Sequence, residues 1–177
     1  MELSIGQKVS YPGQGVCVVE HIESKKIGDA YRDFYLLRVL SDDSTIFIPT
    51  EKIGNVGIRA VINPKQYKNL INGLGEDFEE VSSDWKVRSR EFGEKLQSGD
   101  VFAAADVLKK LTFLSHEKKL SLREQTFLDK AKFLIISEIT NAGLASENKI
   151  EVKINELIEN ACVKHQAVQP SVMAVTH

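Results

Sequence analysis

Tyr11-Pro12-Gly13-Gln14-Gly15-Val16-Cys17-Val18-Val19 decides how the first third of this chain is read. A proline with its φ locked and two glycines within five residues mark a tight turn, and the apolar run that follows is strand-like. Working outward, Phe34 to Leu40 and Thr45-Ile46-Phe47-Ile48 are two further strand runs. They are separated by Ser41-Asp42-Asp43-Ser44, a polar connection of hairpin length. A further short strand is expected at Val56 to Ile58. Short strands with turn signals at such spacing predict a small antiparallel barrel over residues 1–62, not a parallel sheet with crossover helices.

The period changes at Asn63-Pro64, where an N-cap residue precedes a proline at the first helical position. Tyr67, Leu70, Ile71 and Leu74 suit a short helix, which Gly73 and Gly75 end. Glu76, Asp77, Glu79, Glu80 and Asp84 then follow without a balancing base, which reads as an acidic, solvated linker closing the stretch 63–82. Residues 83–165 read as a helical module. One helix ends at Gln97, and Ser98-Gly99-Asp100 both stops it and caps the next, which carries Val101, Ala104, Ala105, Val107, Leu108 and Leu111. Ser121-Leu122-Arg123-Glu124 is a capping box. The helix it opens carries Phe127, Leu128, Ala131, Leu134, Ile135 and Ile139, a broad apolar face that suits a central, heavily buried position. Ser146 is placed to cap a last helix bearing Ile150, Ile154, Leu157, Ile158 and Ala161. Residues 166–177 lack periodicity and read as a disordered tail.

The totals describe an ordinary globular chain of 177 residues, 42% hydrophobic and 27% charged, with a net charge of -2. That charge does not advertise a nucleic-acid binder, so such a role would need a local patch or a recruiting partner. No apolar run reaches the 18 or more residues of a membrane span. Cys17 and Cys162 lie far apart without a C-x-x-C spacing or an apolar export signal, so a reduced cytoplasmic setting is expected, with both thiols as small buried hydrophobes. His21, His116, His165 and His177 have no ligand-like spacing and read as surface or turn residues. Phosphate-loop, dinucleotide and nucleophile-elbow patterns are missing, so the expectation is a binder with no metal and no cofactor.

The only tryptophan stands in Ser82-Ser83-Asp84-Trp85-Lys86-Val87-Arg88-Ser89-Arg90. A flat apolar ring beside Lys86, Arg88 and Arg90 has the chemistry to wedge against bases while cations hold the flanking phosphates. Trp85, Ser89, Phe92 and Leu96 also follow i, i+4, i+7, i+11, so the ring could instead begin a buried helical stripe. Residues 84–132 hold eleven Lys and Arg against eight Asp and Glu, a mildly basic balance that a solvated helix face also explains.

The joint order of Ile5-Gly6-Gln7-Lys8-Val9-Ser10-Tyr11-Pro12-Gly13-Gln14-Gly15-Val16, Thr45 to Pro49, Val56 to Arg59, Trp85 to Arg90, Lys95 to Asp100 and Leu120 to Glu124 resembles the CarD and CdnL family of bacterial transcription regulators. The resemblance runs from residue 3 to about residue 145. It implies an α+β fold of two domains, a small antiparallel Tudor-like β-barrel followed by a compact helical bundle. It further implies that the first domain docks on the RNA polymerase β subunit. The second would reach promoter DNA at the upstream edge of the melted region, with Trp85 in the minor groove and Lys86, Arg88 and Arg90 on the backbone. Lys25, Thr45, Ile46, Phe47 and Ile48 are the implied polymerase-binding residues. Phe47 departs from the arginine that some relatives carry, and Val87 from a residue that is often basic. A monomer in the cytoplasm, brought to the nucleoid through polymerase, is the corresponding expectation. The rival reading is a protein–protein adaptor whose helices serve only as scaffold, and an enzyme ranks third for want of convergent groups.

Overall fold

The computed structural model describes residues 1–169. Five antiparallel strands form one sheet in the order β4-β3-β2-β1-β5: β1 Lys8–Tyr11, β2 Gly15–Ile27, β3 Ala30–Val39, β4 Thr45–Pro49 and β5 Arg59–Ala60. The sheet stays open, with β4 and β5 as its two edges, and does not close into a barrel. The turn between β1 and β2 needs its glycines, because Gly13 and Gly15 sit at φ 76° and 92°. β2 and β3 are longer than their apolar runs suggest. Their paired register continues to Ile27↔Ala30, past a bulge between Val19 and His21, so the hairpin tip protrudes beyond its own core. Alternation along the strands buries Val9, Cys17, Val19, Tyr35, Leu37, Val39 and Ile48 on one face, closed by Leu3, Ile53 and Ile58.

No strand forms at Val56 to Ile58: a 3-10 turn, Thr50–Lys52, runs into one helical turn, α1 Ile53–Val56, of which Val56 is the last residue. Gly57 at φ 84° then releases the chain into β5. Pro49 has no N–H to continue β4, and Ile53 is held in the core, so the chain coils over the open end of the sheet.

Five helices complete the fold: α2 Pro64–Leu74, α3 Trp85–Gln97, α4 Val101–Glu117, α5 Leu122–Asn141 and α6 Glu147–Val168. Of the caps read from sequence, Asn63, Asp100 and Ser121 form, whereas Ser146 stands at the N-cap of α6 without a side-chain hydrogen bond, and Asp84 is a further cap. Asn63 and Ser121 make reciprocal capping boxes with Gln66 and Glu124, and Asp84 and Asp100 accept from Lys86 N–H and Phe102 N–H. The central helix is α4, which buries ten residues, not α5, which buries Ala131, Ile135, Glu138 and Ile139. At the start of α5 Leu122 is 86% exposed, while Phe127 and Leu128 already pack against the helical core.

The acidic stretch after α2 is not an open linker. Leu70, Leu74 and Phe78 belong to the helical core. His165 is buried, not superficial: its ring stacks on Phe78 at 4.0 Å, and its Nδ1 lies 2.7 Å from Asp77. Lys109 Nζ donates to the carbonyls of Gly73 and Glu76. Fixed backbone acceptors thus replace water around the end of α2. Residues 166–168, expected in the tail, continue α6, and residues 170–177 lie outside the described residues. Among the described residues no helix is long and apolar enough to cross a membrane.

Candidate nucleic-acid interface

α3 begins at Trp85, immediately after its Asp84 cap. Side chains in a first helical turn lean back toward the N-terminus, so the indole leaves the end of the helix rather than joining the stripe beneath it. It is 64% exposed, whereas Phe92 and Leu96 are buried. The core-anchor alternative is thereby removed. Lys86 Nζ hovers 5.8 Å from the indole centroid, and Arg90 is exposed two residues beyond Arg88.

Arg88 is not available to phosphate. It takes the inward position four residues before Phe92, is 6% exposed, and donates to the carbonyls of Ser82 at 2.8 Å and Ser83 at 2.9 Å. Its other terminal nitrogen meets Glu124 at 3.1 Å. Two carbonyls and a carboxylate replace water at the terminal nitrogens, while the buried Nε has no partner among the described residues, and withdrawing the cation would leave Glu124 one partner short. Arg88 therefore braces the segment leading into Trp85 against the start of α5. Spacing could not disclose this, because the residue that receives Arg88 lies in a different helix.

Glu124 also accepts from Ser121 N–H at 2.8 Å and from Lys118 at 2.9 Å. Burial alone would push its carboxyl up, but the hydrogen bonds from Lys118, Ser121 and Arg88 outweigh it and hold the group down at about 2. Beside this brace lies a groove of about 320 Å³, lined by Trp85, Ser89, Phe92, Arg123 and Phe127 among others. The Arg123 guanidinium carbon lies 5.3 Å from the Phe127 centroid. Arg123 and Phe127 are thus neighbours of Trp85 that sequence reasoning left out. The capping box was the available signal, since it fixes where the first turn of α5 points.

The implied polymerase-binding residues gather along β4, with Lys25 on β2. β4 pairs with β3 on one side only, so its outer main-chain groups are free. Thr45 and Phe47 face outward, while Ile46 and Ile48 turn to the core and offer the edge only their backbone. Lys25 reaches across from β2 to place Nζ 3.6 Å from the Phe47 centroid, which makes the pair one cationic-aromatic spot beside the free edge. Among the described residues no three His, Cys, Asp or Glu side chains converge as a metal site. Burial pushes the thiols of Cys17 and Cys162 up to about 11 each, which leaves them protonated and unreactive.

The N-terminal domain matches the CarD-like/TRCF RID domain family over residues 3–62, and residues 69–155 match the CarD C-terminal domain family. The chain belongs to the CarD family. Both CarD domains are therefore present, in order, on one chain, and the second match takes in α3 with Trp85, Lys86, Arg88 and Arg90. Among curated proteins the chain is similar to YdeB of Bacillus subtilis (strain 168), described as a candidate transcription factor. The two are 29% identical over 147 residues, covering 83% of this chain and 96% of that one. Among solved structures, the 72-residue N-terminal domain of Myxococcus xanthus CarD is 32% identical, covering 33% of this chain and 79% of that one with a TM-score of 0.29. As a CarD-family member the chain is a transcription-related factor of the RNA polymerase-interacting kind.

Proposed function

We propose that this CarD-family chain docks on the RNA polymerase β subunit through the free edge of β4 and the Lys25–Phe47 spot, and holds promoter complexes open with Trp85. The exposure of Trp85 at the first turn of α3, beside Lys86 and Arg90 and on the rim of the groove lined by Phe92, Arg123 and Phe127, carries this reading, because a flat ring open to solvent between cations can meet bases while the cations meet phosphates. In the minor groove at the upstream edge of the bubble the ring would cover an unstacked base step, disfavouring re-annealing. Lys86 and Arg90 supply the phosphate contacts, and Arg88 supports them from behind.

Edge-strand pairing gives main-chain hydrogen bonds to a polymerase strand, and the Lys25–Phe47 spot adds selectivity. Tethering resolves the charge problem: a chain of net charge -2 needs little intrinsic DNA affinity once polymerase supplies a high effective concentration. Footprinting polymerase on a promoter with and without the protein tests the scheme. The expected result is added protection at the upstream edge and a larger melted fraction. A footprint identical in both lanes, with the protein bound to polymerase, would refute it.

A further inference from the structure

The two glycine turns, Pro12-Gly13-Gln14-Gly15 and Ser98-Gly99, have so far only reversed the chain. In the folded protein they meet. Gly99 sits at φ 78°, and a Cβ there would lie 3.0 Å from Pro12 Cγ and 3.3 Å from Pro12 Cα. A Cβ on Gly13 would run into the Gln97 carboxamide, and one on Gly15 would touch the Phe133 ring at 3.4 Å. The Gln97 carboxamide can swing aside and the Phe133 distance is ordinary contact, so the tight point of the seam is Gly99, where a side chain would press on the Pro12 ring and backbone.

An ion pair closes the same seam. Arg59, on edge strand β5, donates through Nη1 and Nη2 to the two oxygens of Glu138 on α5, at 2.5 and 3.0 Å. Its Nε and Nη2 also donate to the Gly99 carbonyl at 2.9 and 2.7 Å, and its Nη1 to its neighbour Ala60 at 3.1 Å. Glu138 is buried in the helical core and accepts in addition from Ile62 N–H at 3.0 Å, in the strand-to-helix connection itself. One bidentate pair thus grips the β-domain, the α3–α4 corner and the connection between the domains.

We propose that Arg59 and Glu138, with the Pro12–Gly99 contact, form a lock that fixes one orientation between the domains. Docking of the β4 edge then delivers Trp85 to one place on the DNA. The inference rests on the function proposed above. β5 and β4 are opposite edges of the sheet, four strand spacings or roughly 19 Å apart, so a hydrogen-bonded sheet links the lock to the docking edge. Without the lock the domains keep separate cores and their covalent connection, and only their relative position is lost. Arg59 and Glu138 are positioning residues, since neither would touch polymerase or DNA.

The test uses the full chain with Arg59→Ala and with Glu138→Gln, the latter keeping the side chain's size should the former fold poorly. NMR relaxation reads whether the two domains tumble together, and open-complex lifetime is measured alongside Trp85→Ala. The expected result is native-like circular dichroism, unchanged polymerase affinity, independent tumbling, and a lifetime shortened by roughly 10-fold or more, since misplacement forfeits the advantage of a fixed span. A locked-together tumbling time in both variants would overturn the lock. Independent tumbling with a normal lifetime, while Trp85→Ala shortens it, would overturn its positioning role and leave the wedge standing. If Trp85→Ala has no effect but the Arg59 and Glu138 variants do, the wedge fails and the lock serves another DNA contact. A normal lifetime in all three would overturn both.

Discussion

Replacing Trp85 by alanine separates a ring that works on DNA from one that holds up the fold. An indole buries up to about 250 Å² when fully enclosed, so a ring 64% exposed hides roughly 90 Å², worth at most about 2 kcal/mol at 25 cal/mol per Å². Alanine returns part of this through its better helix propensity, leaving a net loss near 1 kcal/mol and a Tm shift below about 8 °C. A core tryptophan would instead cost about 3 to 5 kcal/mol. Losing an aromatic contact to a base is worth about 1 to 3 kcal/mol, which shortens the open-complex lifetime by roughly 5-fold to 150-fold. The assay is the decay of open complexes after competitor addition, with variant and wild type both saturating polymerase. A wild-type lifetime from a folded, polymerase-bound Trp85→Ala would refute the reasoning, as would a Tm loss of the core size.

Phe47→Ala removes the ring under Lys25 without touching the sheet core, so affinity for the polymerase β subunit should fall by about 5-fold to 30-fold with thermal stability unchanged, as titration calorimetry would register. Arg90→Ala should lower the slope of log affinity against log salt for duplex DNA by about one unit, whereas an unchanged slope would take this face of α3 off the DNA. Arg88→Ala should act on stability instead, costing about 1 to 3 kcal/mol in urea unfolding, because two carbonyls lose their donor and Glu124 is left with Lys118 and Ser121 alone. The stability that Glu124 contributes should be complete above about pH 4.5, its ordinary value, and fade as pH falls toward its folded value of about 2. Comparing wild type with Glu124→Gln across that window measures it, and a gap that widens on acidification would contradict the sign.

Local chemistry was legible in the sequence wherever one short segment contains both partners of an interaction. The Asn63 cap, the Ser121 capping box and the Asp100 cap pair residues two or three positions apart, and the 41–44 connection joins strands whose nearest partners, Arg38 and Thr45, are seven apart. Residue order also carried the family, since its motifs keep their sequence in both domains. Tertiary structure decided what depends on a distant partner. A helical repeat does not say whether Trp85 or Arg88 faces inward, and that choice was made by Glu124 on α5, whose carboxylate gives a buried cation its partner. The depth of His165 and the packing of the acidic stretch after α2 follow from contacts between residues 88 positions apart. The meeting of Pro12 with Gly99 and of Arg59 with Glu138 is of the same kind. Periodicity reports which face of an element is apolar, but the free energy of a buried charge depends on which group lies across from it, and only the folded chain brings that group there.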